Sequence, residues 1–217
     1  MTLVGDVAMD AVSPISVTQN AAGLTAIGDP GCAAAIWNRA PLPRFQSWID
    51  ALEPEQLPNA RMILRPEDIR VAALQVCETA GTPNCDERDR LIDDAAALAD
   101  IFADLMRTPY LRLRFDVVTT DACWKFHTDA LTARLICTYR GTGTQYGLSP
   151  DGSEPSRIFT VPTGAPIVLR GTLWPEQPKS GLRHRSPPIS GTGETRLVMV
   201  LDPMTDPAAE PGRRFLH

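Results

Sequence analysis

At Thr108-Pro109-Tyr110 the hydrophobic period of the chain changes. Upstream, Leu91, Ala95, Leu98, Ile101, Phe102 and Leu105 recur at helical spacing. Downstream, Leu111-Arg112-Leu113-Arg114-Phe115-Asp116-Val117 alternates strictly, which is the period of a strand. A chain that switches period in this way reads as a helical half followed by a β half.

The helical half has three candidates. Phe45, Trp48, Ile49 and Leu52 stand at i, i+3, i+4 and i+7 behind Pro43. A second helix starts at Pro66 with acids in its first turn and an apolar face of Ile69, Ala72, Ala73 and Val76. The longest runs from Cys85 or Asp86 to about Met106, acidic at its start and closed by Arg107. Residues 1–40 show no sustained period and read as an arm docked by Trp37. The β half reads as strands at 111–119, 123–128, 132–140, 157–161, 166–170, 181–185 and 195–201, separated by Gly/Pro turns, a sandwich or jelly-roll signature. The expected class is α+β: an N-terminal arm and helical region (1–107), a β core (108–205) and a tail (206–217), as one compact unit.

A net charge of −5 excludes a broad nucleic-acid surface, which needs clustered positive charge. No apolar run approaches the length of a membrane span, and Met1 to Asn20 carries Asp6 and Asp10 with no Lys or Arg, unlike a secretory signal. The reading is a cytoplasmic protein. Five cysteines without a C-x-x-C pair read as free thiols.

Within the β half, Phe126-His127-Thr128-Asp129 places an imidazole and a carboxylate two residues apart. The chain has three histidines, His127, His184 and the terminal His217. If 123–129 is extended, Cys123, Lys125, His127 and Asp129 share one face, with Cys123 a buried thiol there and Trp124 pointing to the core on the other side, and His184 can join the first face from another strand. Two histidines and one carboxylate with open positions are the ligand pattern of non-haem Fe(II) oxygenases. A 2-oxoacid can chelate in those positions, and its far carboxylate then needs a cation. Arg196, at the head of Arg196-Leu197-Val198-Met199-Val200-Leu201, offers a planar fork on an apolar face. Tyr139 and Arg140 at a strand end, Trp174, and Arg183 and Arg185 beside His184 are candidate pocket residues for a small-molecule substrate.

His127-x-Asp129, His184-Arg185-Ser186-Pro187-Pro188 and Arg196-Leu197-Val198-Met199-Val200 occur in the order found in Fe(II)- and 2-oxoglutarate-dependent dioxygenases, which the C-terminal half resembles. That resemblance implies a double-stranded β-helix of the cupin-like kind. It implies Fe(II) held by His127, Asp129 and His184, 2-oxoglutarate as co-substrate at Arg196, and oxidation or hydroxylation of a substrate. Val198 stands where many such enzymes carry a hydroxyl residue. Cys123-Trp124-Lys125-Phe126-His127-Thr128-Asp129, Thr138-Tyr139-Arg140-Gly141-Thr142-Gly143-Thr144 and Leu182-Arg183-His184-Arg185-Ser186-Pro187 resemble the domain of unknown function 1826 family over most of the chain. Its members are linked with metal handling. The alternative this implies is a cupin-like metal-binding protein without oxygenase activity, serving zinc or iron homeostasis, with Zn(II) as the alternative metal.

Overall fold

The computed structural model describes residues 14–149, 151–175 and 180–208. His217 and most of the expected tail lie outside them, as do Asp6 and Asp10. The protein is mixed α/β. Strands β1 (Ile15–Thr18), β2 (Ala34–Trp37), β3 (Ala60–Leu64), β4 (Tyr110–Val118), β5 (Ala133–Arg140), β8 (Pro166–Arg170) and β10 (Arg196–Met204) form one sheet in the order β1-β2-β8-β5-β10-β4-β3. Strands β6 (Gln145–Leu148), β7 (Phe159–Thr160) and β9 (Leu182–Arg185) form a second, in the order β7-β6-β9. Helices α1 (Pro43–Ala51), α2 (Ile69–Thr79) and α3 (Asp86–Met106) complete the architecture. Among the described residues no helix is long and apolar enough to cross a membrane.

The first and third expected helices are present nearly to the residue, and the second, expected from Pro66, opens with a 3-10 turn at Pro66–Asp68 before α2. Helix α3 carries Asp86, Glu87 and Asp89 in its first turn, where carboxylates complement the macrodipole. It ends at Arg107, which adopts a left-handed φ of 49° and caps Ala103 and Asp104 through its backbone N–H.

Residues before 108 are not wholly helical. Strand β3 pairs with β4 at the sheet edge, Met62 opposite Leu113. Its short Arg61-Met62-Ile63-Leu64 run lies between prolines, too short for its period to announce it. The segment read as an arm is also strand: Ala34-Ala35-Ile36 pairs with Leu169-Val168-Ile167 of β8. Alanines have low strand propensity, and burial on both faces of the sheet decides this case. In contrast, 123–128 is not a strand.

The period-two alternation of β4 sorts its side chains between two cores. Leu111, Leu113 and Phe115 pack with Leu91, Leu98 and Phe102 of α3 and with Leu197, Met199 and Leu201 of β10. Val198 and Val200 of β10 face the other way. They join Ile136, Ile167 and Leu169 of the large sheet and Leu182 of β9, with Tyr146 of β6 packed against them. Arg112 and Arg114 of β4 lie on this second face, because Asp202 pairs with Arg112 and Val200 with Arg114.

Tyr139 follows Leu135 and Cys137 onto the helical side of β5 by ordinary alternation, and a register shift between Leu197 and Val198 brings Arg140 to the same side. Val198 opposes Thr138, but Leu197 opposes Arg140, so Tyr139 is the extra residue of a bulge. Tyr139 is buried in the helical core, and its hydroxyl donates to Asp94 of α3 at 2.8 Å. Arg39 grips the same carboxylate with two nitrogens at 2.6 Å. Arg140 donates to the Leu52 carbonyl that ends α1. Tyr139→Phe removes a hydrogen bond to a charged acceptor, and should lower unfolding stability by about 1.5–3 kcal/mol in urea titrations. Because Tyr139 faces the helices, divalent-metal affinity should stay unchanged.

Candidate metal centre

Strand β9 delivers His184, and a single antiparallel bridge sets His127 directly opposite it. His127 N–H donates to the His184 carbonyl at 3.0 Å, and His184 N–H donates back at 2.9 Å. Residues opposite one another in such a pair project to the same side. The two rings stand 4.6 Å apart, centroid to centroid.

The approach to His127 is an irregular loop. Cys123 adopts a φ of +55°, which breaks the alternation expected of an extended 123–129. Three expectations change as a result. Cys123 is exposed at the mouth of the site, not a buried thiol. Trp124 is 49 % exposed, not core. The Lys125 ammonium lies over the Trp124 ring and not with the histidines. Lys125 still serves the site through its carbonyl, which faces His127 Nδ1 at 2.9 Å. That contact makes Nδ1 the donor and leaves Nε2 as the lone-pair nitrogen. The loop is pinned to the β9 side along its length. Asp121 accepts from the backbone N–H groups of Ile189 and Ser190, both at 2.7 Å. Ser186 N–H donates to the Cys123 carbonyl, and the Thr128 hydroxyl to the Leu182 carbonyl.

Asp129 meets the histidines. His184 Nε2 lies 3.1 Å from Oδ2, and His127 Nε2 lies 3.7 Å from Oδ1. One ligand atom from each residue falls within 4.8 Å of the others, so the three could hold one metal ion. Ligand bonds of about 2.1 Å place neighbouring donors about 3 Å apart, close to the His184–Asp129 separation. Oδ2 is buried and makes no hydrogen bond among the described residues, despite the short distance to His184. A buried carboxylate oxygen and imidazole nitrogens converging on one point suit a borderline divalent ion.

Charges around the centre hold the carboxylate ionised. Burial opposes ionisation of Asp129, but His184, Arg134 and His127 overcome it and keep its pKa well below the usual carboxylate range. Burial pushes the His184 imidazole towards its neutral, ligating form, against the pull of Asp129. Arg134 of β5 donates to Asp129 Oδ1 at 2.6 Å and to both oxygens of Asp202, at 2.6 and 3.0 Å. Arg112 donates twice to Asp202 from the other side. The result is a ladder from Arg112 through Asp202 and Arg134 to Asp129, across three neighbouring strands. Sequence reading misses Arg134, Asp202 and Asp121. The available signal was a charge inside an apolar run: Arg134 before Leu135-Ile136-Cys137, and Asp202 at the end of the run that begins with Arg196.

Arg196 is fully buried on the Val198–Val200 face. Its Nε donates to the Thr142 carbonyl at 2.6 Å, and one terminal nitrogen reaches the Ser186 hydroxyl at 3.1 Å. The other terminal nitrogen is buried without a partner among the described residues. Burial, only partly offset by Glu194, pulls its pKa down to about 10. Glu194 instead holds the Thr142 backbone N–H and hydroxyl. Thr144, Ser186 and Val198 line a cavity of about 100 Å³ together with His127 and His184. Arg185 also lines it, with its guanidinium over the Phe126 ring and Nε donating to Gln145. Arg183 instead donates to the Phe126 carbonyl and ties that loop to Gly152. Tyr139 and Arg140 face the helices, away from the histidines. Trp174 stacks on Arg170 beside a separate cleft that includes Thr128.

Arg134→Met strips Asp129 of its closest donor while sparing every metal-facing atom. Divalent-metal affinity should fall about 10- to 100-fold, as for other partners that orient a ligand. Asp121→Ala, which frees the His127 loop, should lower it in the same direction. Isothermal titration with Co(II) checks both.

No curated protein matches the chain. Among solved structures, it is similar to the rice dioxygenase for auxin oxidation, at 14 % identity over 88 % of this chain and 83 % of that one, with a TM-score of 0.48. The Arabidopsis thaliana counterpart, solved with 2-oxoglutarate, gives 15 % identity over 77 % and 66 %, at a TM-score of 0.42. A Pseudomonas putida prolyl-4-hydroxylase gives 13 % identity over 78 % and 98 %, at a TM-score of 0.34. The model of a protein family of unknown function, DUF1826, matches residues 18–202. The chain belongs to the DUF1826 family.

Proposed function

We propose that this protein is an Fe(II)- and 2-oxoglutarate-dependent oxygenase acting on a small molecule. His127, Asp129 and His184 are its metal ligands, and Arg196 is the seat for the far carboxylate of the 2-oxoacid. The two sheets that enclose the Val198–Val200 core are read as the two walls of a double-stranded β-helix. The observation that carries the reading is a pairing of needs. A convergent two-histidine, one-carboxylate set leaves coordination positions open, and a buried arginine that reaches Ser186, two residues past His184, lacks a carboxylate.

Bound together, the metal and a 2-oxoacid would supply activation of dioxygen for oxidation of a second molecule. The chain's own contribution is positional and electrostatic. Lys125 fixes the His127 tautomer, and Arg134 keeps Asp129 charged and aimed. Arg196 presents a nitrogen to an acid, while Ser186 beside it offers a hydroxyl where Val198 has none. Val198, Val200 and Ile136 keep water from the inner wall.

Anaerobic titration with Fe(II) and 2-oxoglutarate tests the reading. The wild type should develop a metal-to-ligand charge-transfer band, and in air release succinate even without a substrate. His127→Ala and His184→Ala should each lose the band together with metal binding. Arg196→Met should keep the metal and weaken 2-oxoglutarate binding at least tenfold. A wild-type protein that binds zinc but gives neither band nor succinate would establish the non-oxygenase alternative.

A further inference from the structure

Arg114, on the inner face of β4, is a cavity arginine whose charge is poorly matched. It lines the same cavity as His127 and His184. Its neighbour Arg112 pairs with Asp202 through Nε and one terminal nitrogen, leaving only the other terminal nitrogen without a partner among the described residues. Arg114 makes no such contact: its side chain donates no hydrogen bond among the described residues, and its Nε is buried without a partner. The nearest carboxylate, Asp116, is 3.6 Å from one terminal nitrogen and 40 % exposed, so the pair is long and open to water. Burial and the facing Arg134 both lower the Arg114 pKa, with Asp116 and Asp202 compensating in part. The other cavity cations have occupations: Arg134 binds Asp129 and Asp202, and Arg185 binds Gln145 and covers Phe126.

Register separates Arg114 from Arg196. Arg114 stands opposite Val200 and Arg196 opposite Val118. Four residues along a strand span roughly 13 Å of backbone. Arg114 is thus an anion seat on the cavity wall, separate in register from the buried Arg196.

We propose that Arg114 receives an acidic group of the primary substrate, so that the enzyme oxidises a small organic acid, carboxylate or phosphonate. This rests on the oxygenase reading, with Arg196 taking the 2-oxoacid.

The test uses the Co(II)-loaded full chain saturated with 2-oxoglutarate. It is titrated with aliphatic and aryl carboxylates, the matching phosphonates and the matching uncharged amides, while the Co(II) absorption bands are followed. At least one acid should perturb the bands, with its amide binding at least tenfold more weakly. The preference between carboxylate and phosphonate identifies the group. Arg114→Met should weaken that acid at least tenfold and leave Co(II) and 2-oxoglutarate affinities within twofold. In ligand-free protein the same variant should unfold at an equal or higher temperature, because a cation awaiting a ligand destabilises the empty fold. The proposal is overturned if no acid binds, if amides bind equally well, if Arg114→Met leaves the acid unaffected or removes 2-oxoglutarate instead, or if the empty variant unfolds several degrees lower. Failure of wild type to take up Co(II) and 2-oxoglutarate appears before any acid is added. That result sinks the oxygenase reading, and this proposal with it.

Discussion

Two backbone hydrogen bonds, His127 to His184 and back, set the geometry on which the candidate centre depends. A reciprocal pair of this kind forces the two side chains to one side at a separation the backbone dictates. No side-chain packing is needed to bring the imidazoles together. The loop that carries His127 has little regular structure, so the bridge needs anchors on either side. Asp121 with Ile189 and Ser190, Ser186 with Cys123, and Thr128 with Leu182 provide them. The metal-facing atoms thus stand on a loop held as firmly as a strand, while the φ of Cys123 turns the chain into place.

Bringing a carboxylate to this point raises an electrostatic problem, because Asp129 is largely buried. Its charge is maintained by the ladder through Arg134, Asp202 and Arg112. The ladder crosses β5, β10 and β4 on the face that elsewhere carries valines and isoleucines. Arginines fit such a ladder better than lysines, because a planar fork can serve two carboxylates at once. The arrangement explains why Leu111-Arg112-Leu113-Arg114 alternates as it does. Its leucines bind the helices, and its arginines face the site wall instead of solvent.

The parts of this fold legible in the sequence are those with a long period. Helix α3 and strands β4 and β10 each repeat one pattern over enough residues for the period to dominate, and the ends of α3 follow from its acidic first turn and from Arg107. Strand β2 was illegible because Ala34-Ala35-Ile36 carries no alternation and gains its place only by pairing with β8. The His127 loop misled for the opposite reason. Cys123 to Phe126 alternates in a strand-like way, but a left-handed residue, Cys123, interrupts it. Among candidate site residues, the rare histidines and the motif spacing singled out His127, Asp129, His184 and Arg196. Arg140 was unreadable from spacing, since a one-residue bulge puts it on the helical side, where Tyr139 already lies by alternation with Leu135 and Cys137.

The same bulge bears on how the two poorly matched arginines differ from the rest. It falls in the pairing of β10 with β5 beside Leu197, while β10 stays in register with β4 and Arg196 reaches Thr142 and Ser186 just beyond the end of β5. Arg112 and Arg134 are each matched to a carboxylate, which is what folding alone would select for a buried cation. Arg196 and Arg114 are not, although carboxylates stand near both. Glu194 is directed to Thr142 instead of to Arg196, and Asp116 stays part-exposed instead of closing on Arg114. Two cations left short of counter-charge on one wall destabilise the empty protein. Both stand on the large sheet, across the Val198–Val200 core from the strand that carries His184, and under the proposed reading their charge is held ready for acids that arrive with the ligands.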